Sequence, residues 1–318
     1  MEEFIIMLRN VLMFVALAVP GFILVKAKML KPEQSGVLSK LLMYLALPFM
    51  IFSGVVEKLT FNAETLLMLG VVALVGIVVV LAMFFASAPL VTAKDKKVKG
   101  MMRFCATFAN NGFLGIPLAA AVFGKEHPVF TVLIVLNIVN NVLMYTLGAY
   151  LTTGDKKNIS VKKAFINPVL IAFVLSCICN LLKVKDSIPE VLTFSNHFSN
   201  IVTPVSMTII GMKLGAISFK TLFSSKKLYY VSFLRLILFP VALTALLFGA
   251  KLIPVNVDWT SIILGVFVAF SMPTAGLAAT FADEFGGDTE NAVIYTLGTT
   301  VLSVITIPTL YYLVNLFL

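Results

Sequence analysis

The sequence predicts an all-α polytopic membrane protein with ten transmembrane helices. Its 318 residues are 60% hydrophobic and only 12% charged, about half the charged fraction of an ordinary soluble domain. The mean hydropathy is +1.03, so too few polar residues remain to cover a soluble core. The third observation is a series of apolar runs, each long enough to cross the hydrocarbon of a bilayer. Together these observations exclude a cytosolic globular protein.

Ten apolar runs of helix length follow one another, each bounded by charged or turn residues. In chain order, spans 1 to 10 lie at about 4–25, 35–56, 64–92, 100–124, 128–153, 164–182, 190–217, 228–250, 259–283 and 290–317. We interpret the first run as a helix and not as a signal peptide, because its leading charges, Glu2 and Glu3, have the wrong sign for such a signal.

The positions of the 24 Lys and Arg residues predict the orientation in the membrane. Seventeen of them lie in or beside the connections after spans 1, 3, 5 and 7, and six lie on the alternate side. The positive-inside rule therefore places both termini outside the cytoplasmic membrane. The same distribution accounts for the net charge of +9 without a nucleic-acid partner.

The two halves of the chain share sequence features at a steady offset. The pattern Lys-x-Lys-x-x-x-Pro-Glu begins at Lys26 and again at Lys183, 157 residues later. A Phe-Gly pair at Gly124 recurs at Gly286, 162 residues later. Each half holds five spans, an odd number, so the second half runs opposite to the first. The sequence predicts inverted repeats, an arrangement typical of transporters.

The predicted domain organisation follows from this repeat. The first repeat comprises residues 1–153 with spans 1–5, and the second comprises residues 164–318 with spans 6–10. Residues 154–163 form a short cytoplasmic linker between them.

Spans 4 and 9, which the repeat relates, both contain helix-breaking residues near the bilayer centre. Span 4 has the stretch Asn110-Asn111-Gly112-Phe113-Leu114-Gly115-Ile116-Pro117, and span 9 has Ser271-Met272-Pro273-Thr274-Ala275-Gly276. Proline removes a backbone donor and frees a carbonyl one turn back. Freed polar groups in hydrocarbon must be buried in protein or face a cavity. A packed kink is the alternative for one span, but two breaks at symmetric positions favour a binding site.

The two breaks predict an anion site, because the second half-helices of both spans begin near the same central point. Their N-terminal N–H groups and dipoles favour a negative group, typically a carboxylate. Two asparagines would donate hydrogen bonds, two prolines would hold the helices broken, and three glycines would let backbone approach the ligand. The candidate substrate-binding residues are Asn110, Asn111, Gly112, Gly115, Pro117, Pro273, Thr274, Gly276, Asn141 and Arg235.

Other polar residues inside the spans have two interpretations each. Arg235 in span 8 has no acidic partner well inside any span, so it either snorkels to the cytoplasmic interface or assists anion entry. Asn137, Asn140 and Asn141 lie on one helical face of span 5. Contact between helices is favoured for that face, with substrate contact as the alternative. Gly211 in span 7 is interpreted as allowing close helix packing, at a dimer or scaffold face.

Enzyme signatures are absent from the sequence. It contains no HExxH, no Gly-x-Ser-x-Gly and no P-loop, so the chain does not hydrolyse ATP itself. Three cysteines within apolar stretches and two distant histidines predict neither a disulfide framework nor a metal site. We predict a transporter without cofactors, driven by substrate, proton or voltage gradients.

The motifs at the breaks resemble those of a known family. An Asn-x-x-x-x-Gly-Ile-Pro pattern runs from Asn110 to Pro117, the stretch around Pro273 is similar, and Ile307-Pro308 closes span 10 in the same way. With these motifs, the chain resembles the auxin efflux carrier family, which includes the plant PIN carriers, nearly from end to end.

This resemblance implies a ten-helix protein with external termini, a scaffold domain of spans 1, 2, 6 and 7, and a transport domain of spans 3–5 and 8–10. It implies that spans 4 and 9 cross at the prolines, that Asn110 binds a carboxylate, and that the transport domain moves as an elevator. A homodimer through the scaffold is also implied. Two departures matter: the linker is too short for the regulated loop of plant carriers, and Thr274-Ala275-Gly276 differs, so the substrate need not be auxin.

The predicted function is therefore a permease that moves a small organic anion, malate-like or auxin-like, across the cytoplasmic membrane. Its expected partners are that anion and the lipid bilayer. A sodium-coupled organic-anion symporter of related architecture and a non-transporting membrane sensor are the alternatives.

Overall fold

The computed structural model describes residues 2–59, 61–155, 157, 159, 162, 165–252 and 254–317. Within these residues no β-strand forms, and an isolated bridge joins Ala109 to Thr274. The first eight helices are α1 Glu2–Lys26, α2 Ser35–Leu41, α3 Leu47–Lys58, α4 Ala63–Leu90, α5 Lys96–Thr107, α6 Ile116–Val122, α7 Pro128–Leu143 and α8 Ala149–Thr153. The next ten are α9 Pro168–Leu181, α10 Val184–Ser187, α11 Glu190–Ser199, α12 Val202–Ala216, α13 Phe219–Ser224, α14 Lys226–Phe233, α15 Phe239–Ala250, α16 Trp259–Ser271, α17 Ala278–Phe285 and α18 Thr289–Asn315.

Several of these helices continue into one another through π-turns, which are wider than α-helical turns, and form longer helical stretches. The π-turns lie at Leu42–Ala46, Asn111–Gly115, Met144–Gly148 and Leu234–Leu238, and a 3-10 turn at Pro32–Gln34 precedes α2. The described residues contain six helical stretches long and apolar enough to cross a membrane: Phe4–Lys26, Pro32–Glu57, Ala63–Leu90, Pro128–Thr152, Lys226–Ala250 and Thr289–Asn315. Shorter apolar helices lie at Asn111–Val122, Pro168–Leu181 and Trp259–Ser271. The prediction of an all-helical polytopic membrane protein is confirmed.

Large apolar side chains on the outer faces fit this assignment. On α4, Leu66, Leu74 and Phe85 are 57%, 62% and 66% exposed. Large apolar side chains exposed in this way are costly in water and are normal against lipid.

Three of the predicted spans are interrupted. Spans 4 and 9 divide into α5 with α6 and α16 with α17, as expected. Span 7, expected as one helix over 190–217, divides into α11 and α12 at Asn200 and Ile201. Residues 156, 158, 160, 161 and 163 of the predicted linker, and residue 164 at the start of predicted span 6, lie outside the described residues.

Three prolines inside helical stretches follow π-turns. Pro48, Pro117 and Pro240 each lie two residues after a π-turn, at the start of the next α-helical segment. The residue just before each proline donates its N–H five positions back; Ile116, for example, donates to Asn111 O. A proline in a regular helix would clash with the carbonyl four positions back. The wider turn shifts that carbonyl, so the helix continues without a sharp break.

Close packing holds α1 against α12. A Cβ added at Gly21 would clash with the carbonyl of Thr208, and one at Gly211 would clash with the carbonyl of Ala18. The two backbones therefore touch where the glycines lie, as small residues allow in membranes. The interpretation of Gly211 as a close-packing residue is confirmed, and its partner is α1 of the same chain.

A central helix, α7, supports the site. It packs between α4 and α16, and its residues Val132, Leu133 and Leu136 have no exposed surface. This burial fixes the face of α7 that carries Asn137, Asn140 and Asn141, because the opposite faces are already occupied.

Candidate functional site

The two interrupted helices meet through their backbones. Asn110 N donates to Pro273 O at 2.9 Å, and Ala275 N donates to Phe108 O at 2.9 Å. These bonds form the antiparallel bridge between Ala109 and Thr274. The extended segments after α5 and α16 therefore satisfy part of each other's backbone, which is what irregular chain at membrane depth requires.

Arg235 holds the ends of both half-helices behind this bridge. Its side chain is completely buried. Nε donates to Met272 O at 2.9 Å, just after α16, and Nη1 donates to Thr107 O at 3.2 Å, at the end of α5, with Ala106 O at 3.4 Å. The last carbonyls of a helix lack intrahelical partners and carry partial negative charge, so a cation there stabilises both ends.

Arg235 thus differs from its sequence interpretations. It does not snorkel, since its guanidinium has no exposed surface, and it does not line the cavity described below. Its role is to cap two helix C-termini, and the carbonyls that it binds lie 37 positions away at Met272 and 128 positions away at Thr107.

Asn140 clamps the break in span 4 from the side of α7. Its Nδ2 donates to Ala109 O at 3.2 Å, and Ala109 N donates to its Oδ1 at 3.4 Å. One amide therefore satisfies both backbone groups of the residue at the centre of the crossing. Thr274 is held similarly, because its Oγ1 donates to Cys105 O at 3.0 Å and its N–H donates to Thr299 Oγ1 at 3.1 Å.

A cavity of about 580 Å³ lies beside the crossing. Asn110, Gly112 and Gly276 line it at the breaks, and Asn137 and Asn141 line it from α7. A Cβ added at Gly276 would lie 3.5 Å from both Oδ1 and Nδ2 of Asn110, so the start of α17 adjoins the Asn110 amide. The cavity extends from the breaks toward the helix ends that carry Glu284 and Ile166.

Several hydrogen-bond donors around this cavity are unused. The N–H groups of Asn111, Gly112 and Phe113 donate to no described residue, and the Asn110 amide makes no hydrogen bond within the described chain. Nδ2 of Asn137 is buried without a partner, although its Oδ1 accepts from Asn141 Nδ2 at 3.1 Å. Buried donors without partners are uncommon, and they are most easily explained by a ligand or water that completes them.

Four of the ten candidate residues therefore line the cavity, and six lie behind it. Those that line it are Asn110, Gly112, Gly276 and Asn141, and those that do not are Asn111, Gly115, Pro117, Pro273, Thr274 and Arg235. Asn111 is fully buried with both amide atoms unpartnered. The carbonyl of Pro273 accepts from Asn110 N and thus belongs to the bridge.

Pro117 does not form the break in span 4, contrary to expectation. The extended segment is Phe108 to Asn110, and Pro117 lies seven residues later in the first turn of α6. The helices cross at Ala109 and Thr274, so Pro273 lies next to the crossing and Pro117 lies away from it. The break is stabilised by Arg235 and Asn140, whose contacts are long-range.

Other cavity residues were not among the candidates. Tyr44, Tyr145, Asn167, Lys162 and Glu284 line the wall and the outer end. In the sequence, only the spacing of Asn137, Asn140 and Asn141 on one helical face indicated this wall of the cavity. The structure places all three residues in the cavity lining.

One more contact links a distant helix to the break, because Lys213 Nζ on α12 lies 3.5 Å from Gly276 O. Among the residues that the structure describes, no group of His, Cys, Asp or Glu is arranged to hold a metal ion.

The sequence is similar to those of known proteins. The profile of a family described as membrane transport protein matches residues 6–311. An uncharacterized transporter of Methanothermobacter thermautotrophicus is 26% identical over 304 residues, covering 94% of this chain and 96% of that protein. An uncharacterized transporter of Methanocaldococcus jannaschii is 26% identical over 211 residues, covering 64% of this chain and 68% of that protein.

Proposed function

Because the chain belongs to the membrane transport protein family, the auxin efflux carrier family that its motifs resemble, we propose that it is a secondary transporter of a small organic anion. The sequence predicts a membrane transporter and not an enzyme. The observation that carries the anion proposal is the cavity at the helix crossing, where unused amide and backbone donors meet.

The chemistry of the cavity supports a carboxylate. The unused groups nearest the crossing include three donors, namely the N–H groups of Gly112 and Phe113 and the Nδ2 of Asn137. A hydrogen bond to a charged acceptor contributes about 1.5–3 kcal/mol, roughly twice a neutral one. The helix that starts at Asn111 adds the positive end of its dipole. At about 580 Å³ the cavity lies in the ordinary range for small-molecule sites.

We also propose the ten-span arrangement of two inverted repeats, residues 1–153 and 164–318. Its support is local: Gly124 and Gly286, which the repeat relates, follow the two broken helices with φ of 85° and 70°. A left-handed residue there is the usual glycine end of a helix. A sequence repeat predicts the same glycine helix end at the two positions that it relates.

The proposed movement is that of an elevator, with spans 3–5 and 8–10 sliding against a scaffold of spans 1, 2, 6 and 7. Arg235 supports it, because this residue of span 8 binds both crossing helices and would keep them together as one moving body. In the scaffold, Asn180 Nδ2 of span 6 donates to Val55 O at 3.0 Å and to Leu59 O at 2.9 Å, at the end of span 2. The proposed transport domain and the proposed scaffold thus each have hydrogen bonds between their own helices.

The proposed setting is the cytoplasmic membrane, with both termini outside and a homodimer through the scaffold. In this orientation the cavity opens to the cytoplasm, because Lys162 and Glu284 at its outer end belong to the cytoplasmic side. Substrate would then be released or taken up there while the opposite side is closed.

Flux into proteoliposomes tests the proposal. Purified protein is offered labelled malate, other dicarboxylates, lactate and indole-3-acetate, with and without sodium and a pH gradient. Asn110→Ala should abolish uptake of the transported anion, with the melting temperature unchanged. Asn10→Ala is the matched control, since the Asn10 amide donates to Ile6 O within its own helix.

Each outcome has a distinct meaning. Saturable uptake by the wild type and Asn10→Ala, lost in Asn110→Ala, supports substrate class and site together. Unchanged flux in Asn110→Ala rejects the site. Binding without flux for the whole panel favours a sensor, and uptake that requires sodium favours a sodium-coupled symporter.

A further inference from the structure

A second cavity, of about 230 Å³, lies between α1 and α12 on one side and α6 and α18 on the other. It shares no lining residue with the cavity at the crossing. Leu118 and Ile307 on its walls are 1% and 2% exposed, whereas Val15 and Phe219 at its rim are 42% and 47% exposed. The cavity therefore reaches from the protein interior to the surface that faces the bilayer.

This second cavity occupies the place that corresponds to the first in the predicted repeat. Along α7 and the π-turn that follows it, the first cavity is lined by Asn137, Asn140, Asn141, Met144 and Tyr145. Along α18, the second is lined by Thr300, Val301, Ser303, Val304 and Ile307. Four residues of the second set, Thr300, Ser303, Val304 and Ile307, repeat the spacing of the first four at an offset of 163 residues, one more than the offset between Gly124 and Gly286.

The chemistry of the two cavities is opposite. Where α7 presents three amides, α18 presents two hydroxyls that are already used within their own helix. Thr300 Oγ1 donates to Thr296 O at 2.7 Å, and Ser303 Oγ donates to Thr300 O at 2.7 Å. The remaining lining side chains are aliphatic or aromatic, with Met207 among them. No lining side chain keeps an unused donor for a carboxylate, so the cavity suits hydrocarbon.

We propose that this cavity binds part of one acyl chain of an anionic phospholipid. The void is smaller than sites for drug-sized ligands, about 300–1,000 Å³, and its rim opens where lipid is the solvent. Positive charge gathers beside Phe219: its ring lies 6.2 Å from Phe22, and Lys26 Nζ lies 5.6 Å from the Phe22 centroid. Lys220 follows directly in the chain. Such basic residues at a membrane surface attract anionic headgroups.

A lipid acyl chain in this cavity lies between helices of the proposed scaffold, α1 and α12, and helices of the proposed transport domain, α6 and α18. Its occupancy would set how readily the two groups slide past each other. That consequence depends on the proposed function, whereas lipid binding itself does not.

Native mass spectrometry of the delipidated full-length protein tests binding without any transport substrate. Phosphatidylglycerol is added back in parallel with phosphatidylcholine of the same chains. Val304→Phe fills the cavity, and Ile305→Phe is the matched control, because the neighbouring Ile305 is 71% exposed on the outer face. Lys26→Gln with Lys220→Gln tests the headgroup, with Lys251→Gln, beyond α15, as the control for lost charge.

The expected result is one phosphatidylglycerol retained by the wild type and by Ile305→Phe, and about a tenfold weaker retention by Val304→Phe. Val304→Leu, which adds less volume, should lie between them and replaces Val304→Phe where the latter does not fold. Equal retention by all variants overturns the cavity assignment. Equal retention of both lipids, unaffected by the lysine substitutions, overturns the anionic headgroup. A retained apolar molecule that is not a phospholipid overturns the occupant.

These outcomes separate the two proposals. Loss of lipid in Val304→Phe with no anion flux in the wild type leaves the lipid site standing and rejects the transport substrate class. Flux without specific lipid retention does the reverse.

Discussion

Replacing Arg235 with methionine should weaken the helix crossing more than any other single loss of charge inside the spans. Methionine is similar in length and flexible, but it donates no hydrogen bond. The substitution leaves Met272 O and Thr107 O without their donor, at 2.9 Å and 3.2 Å in the wild type. Both carbonyls are at helix ends buried in the protein, so water cannot replace the guanidinium.

The magnitude follows from these two bonds. Each hydrogen bond from a charged donor contributes about 1.5–3 kcal/mol, so their sum is about 3–6 kcal/mol. Removing a buried charge recovers part of this, because no described acidic side chain bonds to the guanidinium and its desolvation is relieved. We expect a net loss of about 3 kcal/mol in the free energy of unfolding. Arg235→Lys keeps the charge but one ammonium does not span both helix ends, so it should lose about half as much.

The assay is unfolding of the detergent-solubilised protein in a denaturing detergent, followed by circular dichroism and by melting temperature. Arg103→Met is the matched control: Arg103 is only half-buried and donates to Phe84 O at 3.0 Å and Ser87 Oγ at 3.2 Å, away from the crossing. Because water can replace these bonds at a half-buried site, Arg103→Met should lower the free energy of unfolding by only about 1 kcal/mol. Ordinary surface substitutions change the free energy of unfolding by up to about 0.5 kcal/mol. An Arg235→Met protein whose free energy of unfolding differs from the wild type by no more than this would refute the capping role.

Two further predictions concern the same framework. Asn140→Leu should lower the free energy of unfolding by about 2–4 kcal/mol, because it leaves the N–H and the C=O of Ala109 at the crossing unpaired. Asn141→Ala is the control, since the Asn141 amide bonds only within α7, and it should cost less than half as much in the same melting assay. Gly211→Ala should separate α1 from α12 and lower the melting temperature or abolish folding, because the added Cβ clashes with an α1 carbonyl. Gly36→Ala, with no heavy atom near its added Cβ, should be neutral or stabilising by up to about 1 kcal/mol, and a Gly211→Ala protein as stable as this control would contradict the packing argument.

The positions of the helices could be predicted because membrane insertion is a local property. A run such as Ala63–Leu90 is apolar over bilayer length, and α4 forms over that range. The breaks in spans 4 and 9 were expected on similar grounds, since two amides and a glycine lie beside the break in span 4 and a proline and a glycine lie at the break in span 9. The break in span 7 was missed, although Pro204 lies four residues after Asn200 and a proline disfavours the helical carbonyl four positions back.

The detail of the site was less predictable. Asn110 and Gly112, which the sequence predicts to bind substrate because they lie at the start of a half-helix, line the cavity. Thr274 lies next to them in space, yet its hydroxyl is bonded to Cys105 O, 169 residues away in sequence. Tyr44 and Tyr145 line the cavity from other helices, and nothing in their local sequence marks them.

By itself, the sequence determined that this is an apolar, multi-helical membrane protein with helix breaks in spans 4 and 9, because hydropathy and backbone chemistry act over a few neighbouring residues. Only the tertiary structure decided which groups satisfy those breaks: Arg235 and Asn140 reach them across helices, and Pro117, the obvious candidate, does not. The physical reason is that a broken helix in a low-dielectric medium must find hydrogen-bond partners in three dimensions. Which residue supplies them depends on how the helices pack and cannot be read from residue order.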